Sequence, residues 1–325
     1  MNSIYEGKKI KLEISGGSHH DEILLSIKGF PQIDVDLNLI LSDIDRRRPG
    51  RVGTTKRVEE DLPIIVSGIE NNKTTGEEII VRFENKNFRK KDYEKFYNHP
   101  RPGHVDFVSR IKYPDSQNFY GSGLFSGRMT LPMVFAGSLA KQAMNLEFVT
   151  TLEQVGALYD MDHLDEYLEL VKSDKDSVGG IVKVIVKGFP IGYGGPLFQR
   201  LSIKLSQTIL AIPGTKGIEF GEGFNSVNLF GSQYNDIILN KENKTKTNHS
   251  GGITGGVSNG NDLEFRVVFR PASSIGKTQK TYSFETNQLE DLTITGRHDV
   301  CYVRRALVVV ECMAALALLD ELLWN

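Results

Sequence analysis

Apolar and polar residues alternate over residues 9–14, with Ile10, Leu12 and Ile14 set against Lys9, Lys11 and Glu13, and Ile23, Leu25 and Ile27 repeat the pattern. A period of two predicts two half-buried strands, and the segment from Ser15 to Glu22 between them becomes a hairpin loop holding His19 and His20. After Lys28-Gly29-Phe30-Pro31 the spacing changes. Leu37, Ile40, Leu41 and Ile44 fall on one face of a helix that ends at Arg46-Arg47-Arg48.

The same order returns further along the chain. Ile181 to Val186 read as a strand, Lys187-Gly188-Phe189-Pro190 repeats the turn verbatim, and Leu201, Leu205, Ile209 and Leu210 make a helix face before Pro213-Gly214. Gly76 followed by Ile79, Val81 and Phe83 is matched by Gly260 followed by Leu263, Phe265 and Val267. Three segments in one order predict an internal duplication within one domain, with approximate halves 1–150 and 151–325. Arg304 to Leu323 is apolar on nearly all sides, which predicts a buried central helix, and Leu131 to Met144 predicts a comparable one. The fold class that follows is α+β: a pseudo-two-fold β-α sandwich, antiparallel sheets enclosing a central layer of helices.

Composition narrows the function. The 325 residues carry a net charge of −2, with 39% hydrophobic and 25% charged positions. Met1 to Lys9 lacks the apolar stretch of a secretory signal and no run approaches a membrane span, so a cytoplasmic protein without membrane partners is expected. The two cysteines, Cys301 and Cys312, are too few for a disulfide framework and read as reduced packing residues.

Against this balanced background Arg46-Arg47-Arg48-Pro49-Gly50-Arg51 stands out. Adjacent guanidiniums need an offsetting anion or facing carboxylates, so the run reads either as an anion site or as a basic loop paired with Asp43, Asp45, Glu59, Glu60 and Asp61. Nucleic acid is disfavoured by the matched acidic and basic counts. Three of the seven histidines, His19, His104 and His298, sit in loops beside glycine or arginine, where an imidazole can exchange protons near neutrality. No HExxH or CxxC supports a metal, and no GxGxxG following a strand supports a Rossmann nicotinamide site.

Ser18-His19, Asp45 through Thr54-Thr55 and Glu59-Glu60-Asp61, Lys73-Thr74-Thr75-Gly76, Arg101-Pro102-Gly103-His104-Val105-Asp106, and Gly296-Arg297-His298-Asp299 together resemble chorismate synthase. The resemblance continues through Asp176-Ser177-Val178-Gly179-Gly180, Ile212 to Gly217, Asn248 to Gly260, and Arg270-Pro271-Ala272-Ser273-Ser274, and covers essentially the whole chain in collinear order.

The resemblance implies a lyase that converts 5-enolpyruvylshikimate 3-phosphate to chorismate and phosphate by anti elimination with reduced FMN. NADPH is a candidate reductant, and a homotetramer is implied. Residue by residue, it implies catalytic roles for His19, His104, Asp299 and Ser18. Flavin contacts would come from Ser126, Pro213, Gly214, Gly255, Arg270, Pro271, Ala272, Ser273, Ser274 and Arg297, and substrate-anion contacts from Arg46, Arg47, Arg48, Arg51 and Arg101. The chain departs from the pattern at His20 and Val300, at Gly53 where an arginine is usual, at Tyr120, and at Leu124-Phe125, which replace an Arg-Ser pair. These departures keep a second reading open: a non-catalytic or repurposed paralogue binding flavin or a phosphorylated metabolite.

Overall fold

Strands β1 (Asn2–Glu6), β2 (Lys11–Gly16) and β3 (Glu22–Lys28) form an antiparallel meander, as the period-two alternation requires. The computed structural model describes residues 2–54, 60–86, 95–114, 122–296 and 298–324, so Thr55, Lys56, Arg57, Tyr120 and Arg297 lie outside the described residues. Helix α1 (Leu37–Arg47) follows, capped by the Asp36 carboxylate, which accepts from the Asn38 N–H. Strands β4 (Ile64–Ser67) and β5 (Ile79–Glu84) then complete a five-stranded sheet of order β1-β2-β3-β5-β4.

Helices α2 (Asp106–Lys112) and α3 (Thr130–Gln142) lead to the second half: β6 (Glu147–Val155), α4 (Leu164–Ser173), β7 (Gly180–Lys187), α5 (Leu201–Leu210), β8 (Thr215–Phe220) and β9 (Leu263–Phe269). The second sheet has the order β6-β7-β9-β8, the same topology as β2-β3-β5-β4. Both copies of the Lys-Gly-Phe-Pro turn place glycine in the left-handed region, Gly29 at φ 75° and Gly188 at φ 84°. A Cβ at Gly29 would lie 2.0 Å from the Lys9 carbonyl oxygen, so no larger residue fits there.

The chain ends in a hairpin of β10 (Gln279–Ser283) and β11 (Gln288–Leu292), then helix α6 (Val303–Trp324). Helices α3 and α6 pack on each other between the sheets, with α3 facing β3 and α6 facing β6 and β7. That position explains why α6 is apolar on every side. Its three acids are each paired, although Glu321 Oε2 has no partner among the described residues. Glu311 receives Arg46, Lys141 and Thr150, Asp320 accepts the backbone N–H groups of Lys8, Lys9 and Ile10, and Glu321 meets Lys8 and the Gly194 N–H. Cys301 and Cys312 are buried free thiols, as packing residues would be.

A small lobe has its own apolar cluster of Phe96, Leu292 and Ile294. It joins α2 to the β10–β11 hairpin through Phe107 and Phe284, whose ring centroids lie 5.3 Å apart, and through the Arg110 guanidinium 4.0 Å from the Phe284 ring. This lobe presents Arg101 and His104 to the main body. Among the described residues no helix is long and apolar enough to cross a membrane, and no cluster of three or more potential metal ligands occurs.

Candidate active site

Two buried loops are joined by a third. In the β2–β3 hairpin loop, Ser18 Oγ lies 2.9 Å from His19 Nδ1, and both residues are buried. The Ser18 N–H donates to the Gly123 carbonyl at 3.3 Å, while Ser122 Oγ lies 2.9 Å from Nε2 of His104. Residues 122 and 123 thus connect the two candidate proton carriers through adjacent positions.

His104 is held on its other side as well. Its Nδ1 receives Arg101 Nη2 at 3.1 Å and the Asp106 N–H at 3.3 Å, and lies 2.7 Å from Asp106 Oδ1. Arg101 makes a fork to Asp106, with Nε to Oδ2 at 2.7 Å and Nη2 to Oδ1 at 2.8 Å, and Nη1 donates to Ser274 Oγ at 3.0 Å. Burial pushes the His104 pKa below its ordinary value, Arg101 and Arg270 add to that, and Asp106 opposes it. Burial would raise the Asp106 carboxyl, but hydrogen bonds from Arg101 and His104 hold it well below the usual carboxylate range.

Beneath the His19 loop, Asn85 Nδ2 donates to the carbonyls of Gly17 at 3.1 Å and His20 at 2.8 Å, and its Oδ1 accepts from Arg128 Nε at 3.0 Å. Arg128 also pairs with Asp61 Oδ1, and Arg47 Nη2 meets Asp61 Oδ2 at 2.5 Å. Two buried guanidiniums share one carboxylate. Arg47 Nε and Arg128 Nη2 are buried with no hydrogen-bond partner among the described residues, leaving net positive charge and unspent donors beside His19. Burial pushes the Arg47 pKa down to about 10, against the pull of Asp61, with Arg305 and Arg128 adding to the fall.

The residues implied as flavin contacts gather on the His104 side. Gly214 has φ 92°, its carbonyl accepts the Arg270 N–H at 3.0 Å, and a Cβ there would meet the Tyr302 hydroxyl at 2.2 Å. Pro213 adjoins it. Pro271 accepts from Arg270 Nη1 at 3.2 Å, Ala272 accepts from Ser177 Oγ at 2.6 Å, Ser273 faces Gly103, and Ser274 bonds Arg101. Ser126 caps a short turn by accepting the Arg128 N–H at 3.2 Å. Asp299 pairs with Arg305 at 3.2 Å, whose Nε donates to the Arg47 carbonyl at 2.9 Å.

Four of the sequence-derived positions are placed elsewhere. Gly255 lies beyond the start of β9, where the Leu201 N–H bonds the Gly256 carbonyl at 2.8 Å, whereas Arg270 follows the end of β9. Leu201 opens α5 and Gly214 follows its end, and a ten-residue helix separates the two by roughly 15 Å, so one chain does not bring Gly255 to Gly214. Arg46 points into the helix layer, with Nη2 2.7 Å from Glu311 Oε2 and Nη1 2.9 Å from Asp43 Oδ1. Arg48 pairs with Asp45 at 2.5 Å and reaches the Glu60 carbonyl. Arg51 is exposed at the mouth of a separate cleft with Leu164, Asp165 and Arg304. Facing carboxylates therefore account for Arg46 and Arg48, the alternative that the charge run left open. Ser122, Asn85 and Arg128 had no signal in the sequence, because their partners are 18, 68 and 67 residues away.

The chorismate synthase family profile matches residues 10–323. The chain belongs to the chorismate synthase family. It is 43% identical to the chorismate synthase of Chitinophaga pinensis over 99% of this chain and 97% of that protein. It is 37% identical to those of Prochlorococcus marinus and Methanobrevibacter smithii, covering 98% of this chain and 96% and 95% of theirs. A crystal structure of chorismate synthase superimposes with a TM-score of 0.75 at 21% identity, covering 98% of this chain and 93% of that one, which establishes the sandwich fold. As a chorismate synthase family member the chain is a lyase.

Proposed function

We propose that this chain converts 5-enolpyruvylshikimate 3-phosphate to chorismate with reduced FMN, and that the residues joined by the 122–126 loop do the proton work. The observation that supports this most is the continuity from His19 through Gly123 and Ser122 to His104, flanked by cations in excess of carboxylates. Arg47 and Arg128 share Asp61, and Arg101 pairs with Asp106, a cationic surrounding suited to a substrate bearing a phosphate and two carboxylates.

The flavin fits the residues present. Gly214 lets Tyr302 pack close and hold the Arg270 carbonyl, and Arg270, Ser273 and Ser274 provide the guanidinium and hydroxyl donors a flavin phosphate and ring system need. When bound, reduced FMN supplies electron density that eases cleavage of the allylic C–O bond and takes it back afterwards. His19 gives a proton to the departing phosphate, Arg47 and Arg128 neutralise the charge that develops there, and Asp299 assists loss of the ring proton. His104, held by Arg101, Asp106 and Ser122, sets a protonatable imidazole beside the proposed flavin contacts Ser273 and Ser274. The pair of ring substituents leaves from opposite faces, and the C–H electrons become the new double bond.

The matched topologies of the two sheets and the repeated turn favour an internal duplication in one domain, with halves near 1–150 and 151–325. A homotetramer in the cytoplasm is the assembly proposed, supported by exposed Phe198, Phe224 and Phe230. NADPH is proposed as one source of reducing equivalents. The test is anaerobic incubation with photoreduced FMN and the phosphorylated enolpyruvyl substrate, following chorismate absorbance and phosphate release together. Stoichiometric appearance of both supports the lyase, and flavin loading without turnover favours the repurposed paralogue.

A further inference from the structure

Ser122 is a buried non-glycine residue at φ 82°, a backbone conformation costly for any residue with a Cβ. Glycine would sit there without strain, and Gly123 beside it does adopt a positive φ. The feature that serine has and glycine lacks is the hydroxyl, and it lies 2.9 Å from His104 Nε2.

The other side of the imidazole fixes what that hydroxyl does. Nδ1 faces two donors, Arg101 Nη2 and the Asp106 N–H, and one acceptor, Asp106 Oδ1 at 2.7 Å; the neutral ring that satisfies both donors accepts at Nδ1 and carries its proton on Nε2. Nε2–H then donates to Ser122 Oγ. When the ring is charged, Nδ1–H turns to Asp106 Oδ1 at 2.7 Å while Nε2–H keeps the same acceptor. Ser122 is thus the acceptor for Nε2–H in both protonation states.

We propose that Ser122 is a positioning residue for His104: its hydroxyl, held in place by a strained backbone, fixes the Nε2–H tautomer and stabilises the charged ring. This rests on the catalytic reading of His104 for its functional meaning, but the contact is testable without flavin or substrate. The groups facing His104 are Arg101 and Asp106 from its own loop, Ser122 from the bridging loop, and Arg270 after β9. Without the hydroxyl, the cation loses one of its two acceptors and the neutral ring is freed to place its proton on Nδ1, toward Asp106.

The test is a nitrogen-15 NMR titration of the flavin-free, histidine-labelled full chain from about pH 4 to about pH 9, which spans the imidazole range, with His104→Gln assigning the signals. Ser122→Ala keeps the strain and removes the hydroxyl, whereas Ser122→Gly removes both. Both variants should lower the His104 pKa by about one unit, a tenfold change in proton affinity, and shift the neutral tautomer toward Nδ1–H. Ser122→Gly should also hold or raise the thermal midpoint, because the strain is gone. In active enzyme, the basic limb of the kcat/KM profile, where a required proton is lost, should move down with the NMR value. Wild-type pKa and tautomer in both variants would overturn the proposal, as would a wild-type titration in Ser122→Gly with a shift in Ser122→Ala alone. Absence of turnover in the wild type would count against the lyase reading while leaving the NMR result decisive for Ser122.

Discussion

Arg47 and Asp61 meet at 2.5 Å with both side chains only 2% exposed, which makes this arginine part of the interior as well as of the proposed anion site. Asp61 keeps Arg128 when Arg47 is removed, so the cost falls below the ~3–5 kcal/mol of a stranded buried charge, but the lost pair and the space left by a fully buried side chain still destabilise. Arg47→Ala should therefore lower the urea midpoint as well as weaken substrate binding, and a variant with weakened binding and unchanged stability would contradict the pairing. Asp61 also predicts an acid limit. Burial raises its pKa, but Arg47 and Arg128 outweigh that and leave it below the unfolded value. The stability it contributes is present above the unfolded carboxylate pKa of about 3.9 and fades as pH falls through the lower folded value. Asp61→Asn should flatten the stability curve in that acid window.

His19→Ala and His104→Ala should each lower turnover by roughly two orders of magnitude, the scale of a lost general acid. Circular dichroism and flavin-loading controls separate chemistry from folding. Near-normal turnover in either variant would remove that residue from the mechanism. His104 carries a second signature. Its folded pKa lies below the unfolded value near 6.5, so the unfolded chain binds the proton better, and the stability tied to the neutral ring is lost as pH falls through the unfolded pKa. His104→Gln should remove that loss between about pH 6.5 and the lower folded value, as read by chemical denaturation across pH.

Local pattern was enough to place β2, β3, β7, β9, α1, α5 and α6, because each presents a strict period of two or an apolar helical face to a single core. The family resemblance pointed to His19, His104 and the Arg270–Ser274 segment as candidates. Contacts between distant segments were not legible. Nothing near Arg128 marks it as the second guanidinium on Asp61, and nothing in Arg46-Arg47-Arg48 says that successive side chains diverge. Arg46 and Arg47 diverge because α1 turns each residue by about 100°, and Arg48 leaves the helix in an extended conformation. Arg46 consequently faces α6, Arg47 the interior, and Arg48 the solvent-side carboxylate of Asp45.

Glu311 is the counterpart in the helix layer. It accepts from Arg46, Lys141 and Thr150 on three different elements, and those bonds keep it ionised below the usual carboxylate range despite burial. Glu311→Ala strands Arg46 and Lys141 against Asp43 alone and should cost about 3–5 kcal/mol, with activity per folded molecule unchanged below the midpoint. A selective loss of activity without loss of stability would place Arg46 in the substrate site after all.

Gly214 offers the sharpest separation of flavin binding from chemistry. Its φ of 92° disfavours any Cβ, and the atom that a Cβ would strike is the Tyr302 hydroxyl, itself bonded to the Arg270 carbonyl at 2.7 Å. Gly214→Ala should push Tyr302 away and release the Arg270 segment, weakening FMN binding by roughly tenfold or more, equivalent to the loss of one to two hydrogen bonds. Tyr302→Phe removes the obstructing oxygen, yet also removes the bond to Arg270. Added to Gly214→Ala, it should relieve the clash and raise the thermal midpoint without restoring full flavin affinity. Fluorescence quenching of FMN reads affinity, and thermal denaturation reads the clash. If the double variant regains wild-type affinity, the tyrosine bond contributes nothing to the pocket and the glycine acts by sterics alone.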